Sequence, residues 1–202
     1  MLVVFDLDGT LIDSSQALLE AHDVAWSQLG LERPPDSAIL DLIGLPLLQT
    51  MQTLAPDQDP APLAEAYSKA YVATGARYET IFSGMSELLE LPFRAAVATG
   101  KSQRGADRTV LQHGLTDRFE IVLGGDSVPQ PKPHPDMLYA IMDATNTREL
   151  IMIGDTTYDL EMAHAASVDA IGVSWGHHSV TRLSPWAPVV HSADQLRQRL
   201  GL

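Results

Sequence analysis

The amino-acid sequence predicts an α/β protein whose core is a doubly wound, mostly parallel sheet. Short apolar runs recur along the chain, each near a glycine or an aspartate, and mostly alternate with helix-like segments. Continuous hydrophobicity is typical of strands buried on both faces of a parallel sheet. Repetition of strand, loop and helix favours the doubly wound architecture. The predicted strands are residues 2–5, 94–98, 121–123, 150–153 and 170–173.

A long helical stretch separates the first predicted strand from the second. Apolar residues at spacings of three and four from Leu18 to Leu29 indicate an amphipathic helix, which Gly30 is placed to end. No convincing strand follows until after residue 82. Further helical patterns cover residues 38–43, 47–54 and 63–73.

This helical stretch predicts a subdomain inserted into the α/β core. Its length of about 70 residues far exceeds an ordinary connection of ~2–6 residues between a strand and a helix. We expect the insert to span residues 14–82 and the core to consist of residues 1–13 and 83–202. The expected hinges are residues 14–15 and 83–84.

Composition limits the class of protein and its partners. The 202 residues are 45% hydrophobic and 19% charged, which is ordinary for a globular chain. The formal charge of −13 opposes nucleic-acid binding, and it would repel a phosphorylated substrate unless a cation reversed the local potential. Cysteine is absent, so metal ligands must be oxygen or imidazole. The apolar run before Asp6 is too short for a membrane span or a signal peptide, so a cytoplasmic location is expected.

The segment from Asp6 to Leu11, with the sequence DLDGTL, carries the strongest functional signal. It directly follows the first predicted strand, and ligands of open α/β sheets bind beyond the carboxyl ends of strands. A plain turn is one alternative. A calcium-binding loop is another, but that loop needs glycine where Leu11 stands and glutamate where Ala17 stands. A loop that starts at Asp8 can bring both carboxylates toward one phosphoryl group and one metal ion.

The segment Ala98-Thr99-Gly100-Lys101-Ser102 invites comparison with a nucleotide-binding P-loop. That loop needs an earlier glycine at the position of Ala95, and here the segment follows the second predicted strand. Nucleotide binding by this route is therefore disfavoured. Lys101 and Arg104 remain either a positive rim of the site or plain surface charges.

Later segments add further candidates. Lys132 lies between two prolines that restrict the backbone, which suits an electrostatic catalyst, although a solvated lysine is the simpler alternative. Asp155 and Asp159 follow the strand at 150–153, and their spacing places them on one face of a helix. Asp126 could simply shape its loop. The seven histidines show no ligand spacing, and we expect them on the surface or in loops.

These segments together resemble the four ordered motifs of the haloacid dehalogenase-like hydrolase superfamily. The matching residues are Asp6-x-Asp8-Gly9-Thr10, Thr99, Lys132, and Gly154-Asp155 with Asp159. The helical insert and the ATGKS, KPHPDML and GDTTYDLEMA segments resemble the phosphoglycolate-phosphatase and β-phosphoglucomutase-like branch. The resemblance covers nearly the whole chain and implies a Rossmann-like parallel sheet core with an inserted helical cap.

The resemblance also implies a role for each matched residue. Asp6 would attack phosphorus and become phosphorylated, while Asp8 would protonate the leaving oxygen and then activate water. Asp6, Asp155 and the backbone carbonyl of Asp8 would hold Mg²⁺, and Asp159 would orient Lys132 or a metal-bound water. The residues expected to bind the phosphoryl group are Gly9, Thr10, Thr99, Gly100 and Lys132.

The implied function is that of a Mg²⁺-dependent phosphatase acting on a small phosphorylated metabolite, with phosphoglycolate phosphatase as a candidate type. An acidic residue at position 8 favours phosphoryl transfer over dehalogenation, because an alkoxide leaving group needs a proton. Two alternatives stay open: a sugar-phosphate mutase of the β-phosphoglucomutase type, and a non-catalytic binding module on the same fold. The protein is expected as a monomer or homodimer, without nucleic-acid or membrane partners. Substrate choice should depend on the loop at 44–46 and on the cap cations Arg33, Lys69 and Arg77.

Overall fold

A six-stranded parallel sheet forms the core of the fold in a computed structural model. The model describes the backbone of residues 1–202 and all side chains except those of residues 75 and 76. The strands are β1 Leu2–Phe5, β4 Arg94–Ala98, β5 Val122–Leu123, β6 Leu150–Gly154, β7 Asp169–Val173 and β8 Val189–Val190. Their order across the sheet is β5-β4-β1-β6-β7-β8, so the first strand lies near the centre. The predicted α/β class and parallel sheet are confirmed.

Strand β1 explains why the sheet is covered by helices on both faces. Val3 and Phe5 belong to one buried hydrophobic cluster, whereas Leu2 and Val4 belong to another. Successive side chains of a strand point to opposite faces, so an all-apolar strand needs a packing layer on each side. Those layers contain the helices α5 Met85–Leu89, α6 Gln103–Gln112, α7 Asp136–Thr145, α8 Thr157–Ala165, α9 Val180–Leu183 and α10 Ala193–Leu200.

The segment between β1 and β4 is helical, as the spacing of its apolar residues predicts. It contains α1 Ser15–Gln28, α2 Asp36–Leu40, α3 Leu47–Leu54 and α4 Pro60–Thr74. These helices share a hydrophobic cluster of their own, centred on the fully buried Trp26 and Met51. Gly30 follows the end of α1 with a φ of +65°, a conformation that glycine adopts readily.

Three short strands were not predicted. Ile12–Asp13 (β2) and Thr80–Ile81 (β3) form an antiparallel pair where the chain leaves the core and returns to it. The expectation of no strand before residue 82 was therefore wrong at β3. Each of these strands, like β8, has only two residues, which is too short for a recognisable period-two pattern. Among the helices that the structure describes, none is both long and apolar enough to cross a membrane.

Candidate active site

Three neighbouring strands end in polar residues that the sequence had singled out. Asp6 follows β1, Thr99 follows β4 and Asp155 follows β6, and β1 pairs in parallel with both other strands. The chain crosses from β1 to β4 on one side and later returns to β6 on the other. Such a reversal opens a crevice at the carboxyl ends of the strands. All three side chains are buried there, as the strand order alone would suggest.

Lys132 lies at the centre of this crevice, although its loop is distant in sequence. Its Nζ lies 2.9 Å from Asp6 Oδ1 and 2.5 Å from Asp159 Oδ1, and all three side chains are almost fully buried. Burial opposes the charge on Lys132, but Asp159 and Asp6 outweigh it and raise the pKa of the ammonium. The lysine is therefore held protonated against the two carboxylates.

Asp159 has a second, structural contact at the start of α8. Its Oδ2 accepts hydrogen bonds from the backbone amide and the hydroxyl of Thr156, at 3.1 and 2.8 Å. The bond from the Thr156 amide is one half of a capping box, whose other half runs from the Asp159 amide to the Thr156 hydroxyl oxygen. Such a box satisfies amides that a helix start leaves free. One carboxylate thus begins the helix with one oxygen and binds Lys132 with the other.

Asp6 is the least satisfied group of the crevice. It is fully buried, and neither carboxylate oxygen has a hydrogen bond in proper geometry despite the nearby lysine. Burial raises the pKa of its carboxyl, Lys132 opposes that rise, and the negative charges of Asp159 and Asp155 add to it. A buried carboxylate without well-formed hydrogen bonds is costly, so this position is suited to a reactive group or a metal ligand.

Asp155 is held by donors on both of its oxygens. Thr10 Oγ1 donates to Oδ1 at 2.9 Å, and the His177 backbone amide donates to Oδ2 at 2.8 Å. The His177 ring Nδ1 also lies 2.9 Å from Oδ2. Burial alone would raise the pKa of Asp155, but the His177 contacts outweigh it and lower it. Gly9 packs so closely that a Cβ there would collide with both side chains, and its φ is +83°.

The donor set of this crevice fits a hard divalent cation. One oxygen from each of Asp6, Asp155 and Asp159 lies within 4.8 Å of the others. Three buried carboxylates exceed the charge that Lys132 supplies, and both oxygens of Asp6 lack hydrogen bonds. Oxygen ligands of this kind are those that Mg²⁺ prefers. The Asp8 carboxylate is not part of this trio.

Asp8 instead points toward the helical insert. Its Oδ1 accepts a hydrogen bond from Ser14 Oγ at 2.5 Å and lies 3.0 Å from Lys101 Nζ. Lys101 also donates to the Tyr71 hydroxyl at 2.9 Å, and Tyr71 donates to the buried Glu79. Lys101 is 11% exposed, so it belongs to the site wall and is not a plain surface charge.

The segment after β4 forms a tight boundary with the insert. Thr99 is 1% exposed, and its hydroxyl accepts from the Lys101 amide at 3.3 Å. Gly100 packs against the backbone of Gly44 and Leu45 so closely that a Cβ would overlap the Gly44 carbonyl. Glycine at position 100 is therefore required by the close approach of the insert.

A cavity of about 610 Å³ opens between the insert and the core. Its core end is lined by Asp8, Gly100 and Lys101. From the insert it is lined by Gly44, Leu45 and Lys69, which belong to the loop and the cations on which substrate choice was expected to depend. Arg33 is instead paired with Asp23 and Asp36. The Arg77 guanidinium lies 4.9 Å from the centre of the Tyr78 ring and is not among the lining residues described.

The prediction that histidines lie on the surface or in loops was wrong for His22, which is buried on a helix. His177 and His178 do lie in a loop, although neither side chain is on the surface. His22 and His178 are buried, and the His177 side chain is only 4% exposed. His178 accepts from the Thr157 amide at 3.0 Å and contacts the Asp41 carbonyl. The partners of His177 and His178 lie far away in sequence, and only the pair Trp175-Gly176 before His177 hinted at a fixed loop. Asp126 shapes a loop as one alternative held, accepting from the Gln103 amide at 2.6 Å.

The fold and the site define the class of protein. Residues 3–173 match the family described as haloacid dehalogenase-like hydrolase, and the chain belongs to that family. The predicted resemblance is thereby confirmed.

Several proteins similar to this chain are named as phosphatases. A protein named "Probable phosphatase IndB" from Dickeya dadantii is 37% identical, over 94% of this chain and 87% of its own. A protein named phosphoglycolate phosphatase from Vibrio vulnificus is 32% identical, over 100% of this chain and 95% of its own. The crystal structure of a predicted phosphatase from Clostridium acetobutylicum superposes with a TM-score of 0.88 at 25% identity, covering 100% of this chain and 98% of that one.

Proposed function

We propose that this protein is a Mg²⁺-dependent phosphatase that hydrolyses a phosphomonoester through an aspartyl-phosphate on Asp6. The observation that carries the proposal is the Asp6 carboxylate, buried without hydrogen bonds between Lys132 and Asp155 at the switch point of the sheet. An unsolvated carboxylate beside a cation is arranged for attack on phosphorus. Relatives named as phosphatases support the same reaction class.

Magnesium would be held by Asp6, Asp155 and the backbone carbonyl of Asp8, with Asp159 close by. When bound, it would offset the charge of the carboxylates and of a phosphate dianion. Thr10 and His177 fix Asp155 and so set the direction of one ligand. Outer contacts of this kind orient metal ligands and are costly to remove.

Phosphoryl binding is assigned to Thr99, Gly100 and Lys132, with Gly9 and Thr10 forming the turn beneath. Lys132 Nζ already contacts Asp6, so it would meet the oxygens of a phosphoryl group placed on that carboxylate. Charge stabilisation by such a preorganised donor is a large part of phosphoryl-transfer catalysis.

Asp8 is assigned the proton transfers. Its Oδ1 is occupied by Ser14 and Lys101, and neither contact uses Oδ2. Oδ2 would therefore give a proton to the leaving alkoxide and later accept one from the attacking water. Asp8 also lines the cavity, and this supports a role on the leaving-group side of the site.

The insert at residues 14–82 is proposed to act as a cap hinged at 14–15 and 83–84. Its helices share one hydrophobic cluster, and β2 and β3 join its two ends. Since Asp6 is fully buried, a substrate reaches it only after the cap separates from the core. Closure would then exclude water while the phosphoenzyme forms.

Phosphate release from an aryl phosphate tests the reaction. We expect turnover with Mg²⁺, none with EDTA, and none for Asp6→Asn. Asp169→Asn is the matched control, because Asp169 is exposed at the start of β7, away from the site. Activity of Asp6→Asn equal to that of this control would reject Asp6 as the nucleophile. Transfer of phosphate to a second position of a sugar phosphate, without free phosphate, would favour the mutase alternative.

A further inference from the structure

Glu79 is a buried carboxylate to which the proposed chemistry assigns no role. Its side chain is 1% exposed, and it lies where the chain returns from the insert to the core, directly before β3. Glu79 is not among the described residues that line the cavity, so it would act on a substrate there only through other residues. Burial of a carboxylate is costly unless donors compensate it. The partners of Glu79 therefore indicate what it does.

The Glu79 carboxylate joins the insert to the core. Tyr71, on α4 of the insert, donates its hydroxyl to Oε1. Thr109, on α6 of the core, donates to the same oxygen at 3.3 Å. His113 Nε2, just after α6, lies 3.4 Å from Oε2. Glu79 is thus held from both parts of the fold, in a position set by their packing.

The Tyr71 hydroxyl connects Glu79 to Lys101. A hydroxyl has one proton to donate, and Tyr71 directs it to Glu79, so its lone pairs are left for another donor. Lys101 Nζ is that donor, at 2.9 Å. The same Nζ lies 3.7 Å from Glu79 Oε1, so the carboxylate also attracts the lysine directly. The orientation of the tyrosine hydroxyl and the place of the ammonium group both depend on Glu79.

Lys101 in turn contacts Asp8, the proposed acid and base. Its Nζ lies 3.0 Å from Oδ1 of Asp8, the oxygen that also accepts from Ser14. A lysine has a flexible four-carbon stem, so its charge can occupy many positions. Tyr71 and Glu79 restrict that charge to the position facing Oδ1. The other oxygen of Asp8, Oδ2, stays free of both contacts.

We infer that Glu79 is a positioning residue for the proton transfers of Asp8. Through Tyr71 it holds Lys101 against Oδ1, so that Oδ2 remains available to the leaving group. Supporting contacts of this kind keep a reacting group in its productive geometry. The inference rests on the proposed phosphatase function and adds a residue to it. Tyr71 and Glu79 belong to the insert and Lys101 to the core, so the arrangement is complete only when the insert is seated.

The leaving group provides a readout that a purely structural role would not change. Phenyl and 4-nitrophenyl phosphate are similar in shape, but phenolate is the more basic leaving group and depends more on a proton from Asp8. The ratio kcat/KM reports the step that expels it. Glu79→Gln keeps the shape of the side chain and removes its charge. We expect a loss of ~10-fold or more for phenyl phosphate and of less than ~3-fold for the nitrophenyl ester, because general acid catalysis contributes roughly 10²–10⁴-fold and misplacement removes part of it.

A linked substitution and a control show where the effect arises. Tyr71→Phe removes the hydroxyl between Glu79 and Lys101 and should cause a loss with the same selectivity. Adding Glu79→Gln to Tyr71→Phe should change the ratio between the two esters less than it does in the wild type, since both substitutions break one chain of contacts. Glu87→Gln, exposed on α5, is the matched control and should leave both values unchanged.

The outcomes separate this inference from the proposed function. Unchanged values, or equal losses for the two esters, in folded Glu79→Gln would overturn the inference and leave the phosphatase intact. If thermal unfolding shows that Glu79→Gln is not folded, the same comparison with Tyr71→Phe decides, and equal losses there overturn it. Asp8→Asn should show the selectivity most strongly; its absence would remove Asp8 from acid duty and the inference with it. No Mg²⁺-dependent hydrolysis of either ester by the wild type would overturn the phosphatase function itself.

Discussion

The neutral His22 ring should make the protein less stable as pH falls from 7.5 to 5.5. Its pKa is about 4 in the folded protein, whereas an unperturbed histidine has a pKa of about 6.5. Burial is the main cause, the Leu18 carbonyl opposes it, and the Arg33 and Asp23 charges are smaller effects of opposite sign. Between the two pKa values the unfolded chain binds a proton that the folded protein does not. Stability is therefore complete above the unfolded pKa and falls as pH decreases.

The size of the stability loss follows from the difference between the folded and unfolded pKa of His22. Over the whole titration the loss approaches ~3 kcal/mol, and between pH 7.5 and 5.5 it is about 1.3 kcal/mol. Both values of pH lie above the isoelectric point of about 4.7, so the protein keeps net negative charge throughout. The matched variant is His22→Gln, because glutamine does not titrate and its amide can still donate to the Leu18 carbonyl.

Urea unfolding of wild type and His22→Gln at both pH values isolates this contribution. Other titrating groups, including the carboxylates of the site, affect both proteins and cancel in the difference. We expect the free energy of unfolding of wild type to fall by about 1.3 kcal/mol more than that of the variant. Equal losses in the two proteins, or a larger loss in the variant, would show that His22 is not held neutral by burial.

Three further perturbations test the site and the cap. Lys132→Met should lower kcat by ~10²–10³, because the variant loses a buried electrostatic catalyst. The circular dichroism spectrum should stay unchanged, and an unaltered kcat would reject the catalytic role of Lys132. Trp26→Ala should lower the free energy of unfolding by about 3–5 kcal/mol in urea, because Trp26 is 1% exposed. Trp186→Ala, at a position 43% exposed, is its control, and an equal loss would contradict the assigned cap core. Asp155→Asn should weaken Mg²⁺ binding by at least ~10-fold in calorimetry, and unchanged affinity would exclude Asp155 as a ligand.

The core of the fold could be predicted because local patterns determine it. Leu2–Phe5 has no polar residue, and only a strand covered on both faces can bury it. Leu47–Leu54 was predicted with the bounds observed, between Pro46 and the turn at Ala55. The strand pair at Ile12–Asp13 and Thr80–Ile81 could not be seen, because its stability comes from contacts between the two ends of the insert.

The residues of the site likewise include some that the sequence could assign and some that only the fold brings together. Asp6, Thr99 and Asp155 could be assigned to the site because each follows a predicted strand, and ligands of open α/β sheets bind beyond the carboxyl ends of strands. The three residues do lie at three adjacent strand ends, an order that only the structure gave. Lys132 could be proposed from its flanking prolines and by resemblance, but its contacts with Asp6 and Asp159 could not, because a loop position says little about where a side chain reaches. His177 escaped prediction, since it meets Asp155 only through the fold.

The cavity was beyond sequence reasoning for a related reason. The sequence shows His22 only as a polar residue on an amphipathic helix. Its burial depends on Trp26 and Tyr67, which pack around it. Lys101 could equally have been a surface charge until Asp8 and Tyr71 were seen to contact it. Properties that depend on several distant side chains at once need coordinates.

The most direct test of the central claim is to look for the phosphoryl group on Asp6. Protein mixed with Mg²⁺ and an aryl phosphate would be quenched in acid within milliseconds, digested, and measured by mass spectrometry. The account predicts one added phosphoryl group on the N-terminal peptide, localised to Asp6 and lost in base. Turnover with no phosphorylated peptide at any quench time in wild type or in a slowed Asp8→Asn variant, or with the group on another residue, would contradict it.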